Sequence, residues 1–137
     1  VINCALSNTQ GKITSFGTDN IPASNSIAKK SSTYVITAKL ETLIEEFRTP
    51  DLAKLDIEGA EAKVLPEYLS TNTPFNLVLE IHGNMMTQQE LENLEEVLFE
   101  NYQKVSNIQN QETEKGFELN EIKELRKSGN YTVYLEK

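Results

Sequence analysis

Seven residues, Phe75-Asn76-Leu77-Val78-Leu79-Glu80-Ile81, constrain the fold of this chain more than any others. Thr73-Pro74 precedes them and interrupts any helix. Three successive apolar residues, Leu77, Val78 and Leu79, send apolar side chains to both sides of an extended chain. A strand with that pattern is covered on both faces, as in a parallel sheet flanked by helices. The neighbouring segments are helical in period. Leu40, Leu43, Ile44 and Phe47 fall at i, i+3, i+4 and i+7 and form one apolar face, and Thr49-Pro50-Asp51 stops that helix. Thr87 with Glu90 makes a capping-box pattern that opens a helix to about Tyr102, with Leu91, Leu94, Val97 and Leu98 as its buried stripe. Strands alternating with helices of this size predict an α/β domain with right-handed βαβ units and a parallel sheet.

The rest of the chain fits between these anchors. Val1 to Leu6 reads as a strand ended by the polar cluster Ser7-Asn8-Thr9-Gln10-Gly11, and Lys12 to Phe16 as a short strand after that turn. Residues 17–32 are rich in Ser, Asn and Gly with few apolar anchors, which predicts a mobile loop. Tyr34 to Ala38 is β-favouring. Leu52 to Ile57 is a short, mostly apolar run, followed by a helix from Gly59 or Ala60 to about Leu69 that Pro66 is expected to kink or restart. Lys104 to Asn110 is a weak strand candidate. Glu118 to Lys127 reads as a helix with Leu119, Ile122 and Leu125 inward and Gly129 past its end. Tyr131 to Glu136 closes the chain as a strand. No repeat is visible, and 137 residues fit a single domain with a real core.

Composition narrows the function classes. The chain is 38% hydrophobic and 25% charged, with a formal net charge of −8. That sign opposes a nucleic-acid or anionic-membrane surface, since both need a concentrated positive field. Its basic clusters, Lys29-Lys30 and Lys123 with Arg126 and Lys127, are local. No apolar run approaches a membrane span. The lone cysteine, Cys4, excludes an internal disulfide and suits a reducing, cytoplasmic setting; its apolar neighbours predict a buried strand thiol. The chain begins at Val1, inside an apolar run, as expected of a piece of a longer protein.

In open α/β sheets, ligands bind beyond the carboxyl ends of the strands. Two strand ends here carry ionisable groups: Asp56-Ile57-Glu58 and Glu80-Ile81-His82. Residues i and i+2 of a strand point to one side, and neighbouring strands lie roughly 4.8 Å apart. If these two strands are neighbours, three carboxylates and the only histidine gather at one rim. Gly59 permits a tight exit from the strand. Glu61 falls in the first helical turn, where the helix dipole favours negative charge. Asp56 closes an apolar run and needs a partner if buried there. Lys54 reads as a stem along the sheet with its ammonium in solvent or paired to a carboxylate. GxGxxG, GxxxxGK, CxxC, HExxH and GxSxG patterns are all absent. As oxygen-rich ligands, Asp56, Glu58, Glu80 and His82 are also compatible with a Mg²⁺- or Mn²⁺-dependent lyase or hydrolase.

The run Lys54-Leu55-Asp56-Ile57-Glu58-Gly59-Ala60-Glu61, with Val64-Leu65 behind it, resembles the most recognisable motif of the FkbM-type methyltransferases. Val35-x-x-x-Lys39-Leu40-Glu41-Thr42-Leu43 upstream, Leu77-Val78-Leu79-Glu80-Ile81-His82-Gly83 downstream, and Cys4-Ala5-Leu6-Ser7 followed by Gly11 agree in order and spacing. The resemblance is close over residues 1–83 and holds only in pattern beyond. It implies a three-layer, Rossmann-like class I methyltransferase fold: a mostly parallel sheet with an antiparallel strand, Tyr131 to Glu136, near the C-terminus. Val1 to Leu6 would be the third strand, Leu52 to Ile57 the fourth and Phe75 to Ile81 the fifth, with the N-terminal strands missing. Residues 1–137 are then one partial domain, and the glycine-rich cofactor loop would precede Val1.

The implied reaction is methyl transfer from S-adenosylmethionine to a hydroxyl oxygen of a sugar or secondary metabolite. On this reading Ala5 and Leu6 touch adenine and Asp56 the methyl end. Asp56 or His82 is the base, Glu58 and Glu80 orient the acceptor or the base, and no residue is assigned to a metal. The serine-rich part of the 17–32 loop is a candidate lid. The expected partner is a small-molecule or glycan acceptor, with no nucleic acid and no membrane. A non-enzymatic alternative is a truncated interaction module, and an exposed sheet edge beside the third strand would favour a homodimer.

Overall fold

The computed structural model describes residues 2–15, 34–107 and 129–137. The loop at 17–32 and the helix expected over Glu118 to Lys127 lie outside the described residues. Those described form an α/β fold with two mixed sheets.

The larger sheet has the order β4-β5-β7-β6, built from β4 (Leu52–Leu55), β5 (Asn76–His82), β6 (Lys104–Asn107) and β7 (Asn130–Glu136). β4 runs parallel to β5, with Leu55 opposite Leu79. β7 is antiparallel to both of its neighbours, with Leu77 opposite Leu135 and Val105 also opposite Leu135. β4, β5 and β6 therefore point one way and β7 runs against them. The antiparallel closing strand fits the expectation, but two of the three pairings are antiparallel. The sheet is mixed, and "mostly parallel" describes strand directions better than ladders.

β5 departs from the two-sided burial expected of it. Leu77, Leu79 and Ile81 are fully enclosed on one face, whereas Asn76, Val78 and Glu80 on the other are only half-buried. The enclosed face packs against α2 (Glu61–Leu69) and α3 (Gln88–Asn101) through Leu65, Tyr68, Leu94 and Leu98, in one core that also takes Tyr131, Val133 and Leu135 of β7. Burying such side chains contributes about 1.5–3 kcal/mol each. Among the described residues, a helical layer of this kind covers one face.

Local chemistry explains the helix limits. Glu90 N donates to Thr87 Oγ1 at 3.2 Å and Thr87 N donates to Glu90 Oε2 at 2.9 Å, so the capping box opens α3 as its sequence predicts. α1 (Leu40–Phe47) ends where Arg48 takes a φ of 79°. α2 runs through Pro66 from Glu61 to Leu69 without restarting.

The smaller sheet has the order β1-β3-β2. The strand foreseen over Val1 to Leu6 is shortened to β1 (Ala5–Leu6), which pairs in parallel with Thr37 and Ala38 of β3 (Tyr34–Ala38). β2 (Ile13–Ser15) lies antiparallel on β3. The cause is a dense set of bonds around Thr37: Gly11 N donates to its carbonyl at 2.8 Å, its own N–H donates to Lys12 O at 2.8 Å, and Lys12 N donates to Oγ1 at 3.1 Å. The turn from Ser7 to Lys12 is thus sewn to β3. Cys4, expected to be buried, is half-buried. β4 is the last strand of its sheet among the described residues, and an apolar cleft of about 480 Å³ opens between it and α1. No described helix is long and apolar enough to cross a membrane.

Candidate active site

β4 and β5 are adjacent and parallel, so their carboxyl ends meet at the same rim. Leu55 opposite Leu79 puts Asp56 level with Glu80, and the chain then turns sharply through Glu58 (φ 52°) and Gly59 (φ 93°) into α2. A Cβ at Gly59 would stand 2.9 Å from Met85 Cβ, on the turn that follows His82, so conformation and crowding both require glycine there.

His82 is the centre of the site. Its side chain is 5% exposed, and the four carboxylates of the two strand ends and of Glu61 surround it. Nδ1 lies 3.0 Å from Oε1 of Glu61, a residue with no solvent exposure. Glu61 folds back over its own helix start and accepts two backbone bonds as well, from Ile57 N at 3.2 Å and Gly59 N at 3.0 Å. These donors and the positive end of α2 compensate the buried carboxylate. An ionised carboxylate only accepts, so beside it a neutral ring would carry its proton on Nδ1 and keep a lone pair on Nε2.

That Nε2 faces the three other carboxylates. Glu58 Oε2 is 3.5 Å away, Glu80 Oε1 3.7 Å and Asp56 Oδ1 3.8 Å. All three carboxylates keep partial solvent access, at 20%, 33% and 36%. Asp56 is thus not the buried carboxylate foreseen at the end of an apolar run: Leu55 turns inward and Asp56 outward. Its second oxygen, Oδ2, accepts from Lys54 Nζ at 3.0 Å. That hydrogen bond, and the Coulombic pull of Asp56 and then Glu80, hold the Lys54 ammonium above its usual range. Lys54 is paired, as one of its two foreseen roles required.

The structure therefore brings Asp56, Glu58, Glu80 and His82 together. Ala5 and Leu6 lie on β1, in the smaller sheet. Ala5 is buried in the smaller sheet and Leu6 packs against the main core, and no described hydrogen bond or ion pair ties either to the group around His82.

Glu61 is the site residue that sequence reasoning missed, having been assigned to helix-start electrostatics. A signal existed. Glu61, Val64, Leu65 and Tyr68 fall at i, i+3, i+4 and i+7, so the glutamate is in phase with the buried stripe of α2. A carboxylate on a buried stripe needs a polar partner, and the histidine was the one available to be sought.

The model of the FkbM methyltransferase domain matches residues 2–128, which takes in both strand ends and the whole of the group around His82. Comparisons with curated proteins and with solved structures each gave no match. The family match spans most of the chain, including the residues quoted for the resemblance, and the chain belongs to the FkbM methyltransferase domain family.

Proposed function

We propose that this domain transfers a methyl group from S-adenosylmethionine to a hydroxyl oxygen of a small molecule or glycan, with His82 Nε2 taking up the hydroxyl proton. The observation that carries the reading is the anchored ring: Glu61 holds Nδ1, leaving a lone pair on Nε2 at the rim where β4 and β5 end. S-adenosylmethionine supplies an electrophilic methyl group on a cationic sulfonium. The acidic rim suits such a cation, because Asp56, Glu58 and Glu80 outnumber the single ammonium of Lys54 there. We assign Asp56 to the sulfonium end, and Ala5 and Leu6 to the adenine.

The proton's path follows from the geometry. Uptake at Nε2 makes an imidazolium that lies between Glu61 on one side and three carboxylates at 3.5–3.8 Å on the other. Glu58 and Glu80 orient the hydroxyl toward that nitrogen. A positioned base of this kind contributes about 10²–10⁴-fold. The half-buried thiol of Cys4 has no cysteine partner in the chain, which accords with action in the reducing cytoplasm. The test is turnover of the His82→Gln and Asp56→Asn variants, expected to fall by about 100-fold or more. Turnover unchanged in both would remove the reading.

A further inference from the structure

We propose that Asp56 Oδ1, Glu58 Oε2 and His82 Nε2 form a binding site for one divalent cation of the Mn²⁺ or Zn²⁺ class. Methyl transfer is not a premise: the site follows from the ring and its neighbours alone. His82 is a side chain with 95% of its surface enclosed, and its Nε2 makes no hydrogen bond. That nitrogen nevertheless points at three carboxylate oxygens. A lone pair facing three carboxylate oxygens calls for a hydrogen-bond donor or a cation between them.

Distance separates the two candidates, a proton and a metal ion. An N–H···O bond spans about 2.7–3.2 Å, and among the described residues no carboxylate oxygen comes that near Nε2: the closest are at 3.5, 3.7 and 3.8 Å. A proton on the ring therefore reaches none of them. A cation bonded at about 2.1 Å to nitrogen and oxygen sets adjacent donors about 3.0–3.4 Å apart and opposite donors about 4.2 Å apart. The Nε2 separations from Glu58 and Asp56 lie between those two values, so a bound ion would draw both carboxylates in by a few tenths of an ångström, and the three donor atoms lie within 4.8 Å of one another.

The surroundings agree. Glu61 holds Nδ1, the arrangement in which a carboxylate behind a ligating histidine fixes its tautomer and ring orientation. Lys54 occupies Oδ2 of Asp56 and leaves Oδ1 free. Glu80 stands outside the triad, so open coordination positions remain for water or a hydroxyl. One nitrogen with two carboxylate oxygens suits Mn²⁺ or Zn²⁺ better than an all-oxygen ion such as Ca²⁺. The lone pair of Nε2 serves either a proton or the cation. In the loaded form the cation, not the ring, would polarise an acceptor hydroxyl.

His82 is the only histidine, so its ring signals are unique. The test titrates the cofactor-free protein with Mn²⁺ and follows those signals by NMR, with Zn²⁺ as the diamagnetic counterpart. One saturable site is expected. Mn²⁺ should broaden the His82 ring below one equivalent, and Zn²⁺ should shift Nε2 while Nδ1 keeps its proton. Glu58→Gln and Asp56→Asn, both partly exposed positions, should each weaken Mn²⁺ binding by about 10-fold or more, with circular dichroism confirming the fold. Absence of saturable binding to the folded wild type up to millimolar Mn²⁺ would overturn the proposal. So would affinity unchanged in both variants, or Zn²⁺ bound through Nδ1.

Discussion

Glu61 Oε1 sits 3.0 Å from His82 Nδ1, and both residues are buried while the opposite ring nitrogen looks toward the rim. That contact converts a histidine at a strand end into an oriented one. A carboxylate cannot donate, so it selects the tautomer, and the strand fixes the direction in which the free lone pair points.

The tautomer is directly observable. In the neutral ring, ¹⁵N spectra of the single histidine should show a protonated Nδ1 and an unprotonated Nε2. A dominant Nε2–H form would contradict the Glu61 contact.

Glu61→Gln keeps the side chain's shape but cannot accept at both oxygens, so one buried partner among Ile57 N, Gly59 N and the His82 ring loses its acceptor. Urea denaturation should show a loss of about 1–3 kcal/mol. Stability equal to wild type would mean that the glutamate is not bonded as described.

Gly59→Ala must hold a non-glycine residue at φ 93° with a Cβ 2.9 Å from that of Met85. The expected cost is about 1–3 kcal/mol, read by the same denaturation experiment. Because the turn carries Glu58 into the crevice, turnover should fall along with stability. A stabilised variant would refute the turn geometry.

The α3 cap gives a pH dependence. Hydrogen bonds from the Thr87 backbone and side chain hold Glu90 below its usual value of 4.5. A lowered carboxylate contributes stability that is present above its unfolded value and is lost as pH falls through the folded one. The stability gap between wild type and Thr87→Ala should therefore be full at neutral pH and narrow as the solution is acidified below about 4.5. A gap constant from pH 7 to pH 3 would show that the Glu90 carboxylate takes no part in the cap.

How much of this was legible without coordinates depends on the range of the interaction. Thr87 and Glu90 are three residues apart, and their cap is visible in the letters. So is the likeness of the two strand ends, Asp56-Ile57-Glu58 and Glu80-Ile81-His82, because period two places alternate residues on one side. Whether those strands are neighbours is a long-range fact that no local pattern carries, and the parallel register of Leu55 with Leu79 supplies it. The same limit hides the partner of β1. An apolar run announces a strand but not its partner, and the partner was decided by bonds from Gly11 and Lys12 to Thr37. Glu61 was hidden differently. Its charge suited the helix start so well that its place on the buried stripe went unread. Asp56 failed the other way, since an apolar run predicts enclosure and the residue just past the end of β4 escaped it.

The decisive experiment is incorporation of labelled methyl from S-adenosylmethionine into small-molecule and glycan acceptors by the wild-type protein and by His82→Gln, with cofactor binding measured alongside. Wild type should label a hydroxyl acceptor, and the variant should bind the cofactor comparably yet label it about 100-fold more slowly. Equal labelling by the two proteins, at equal cofactor affinity, would show that the ring held by Glu61 takes no proton from the acceptor.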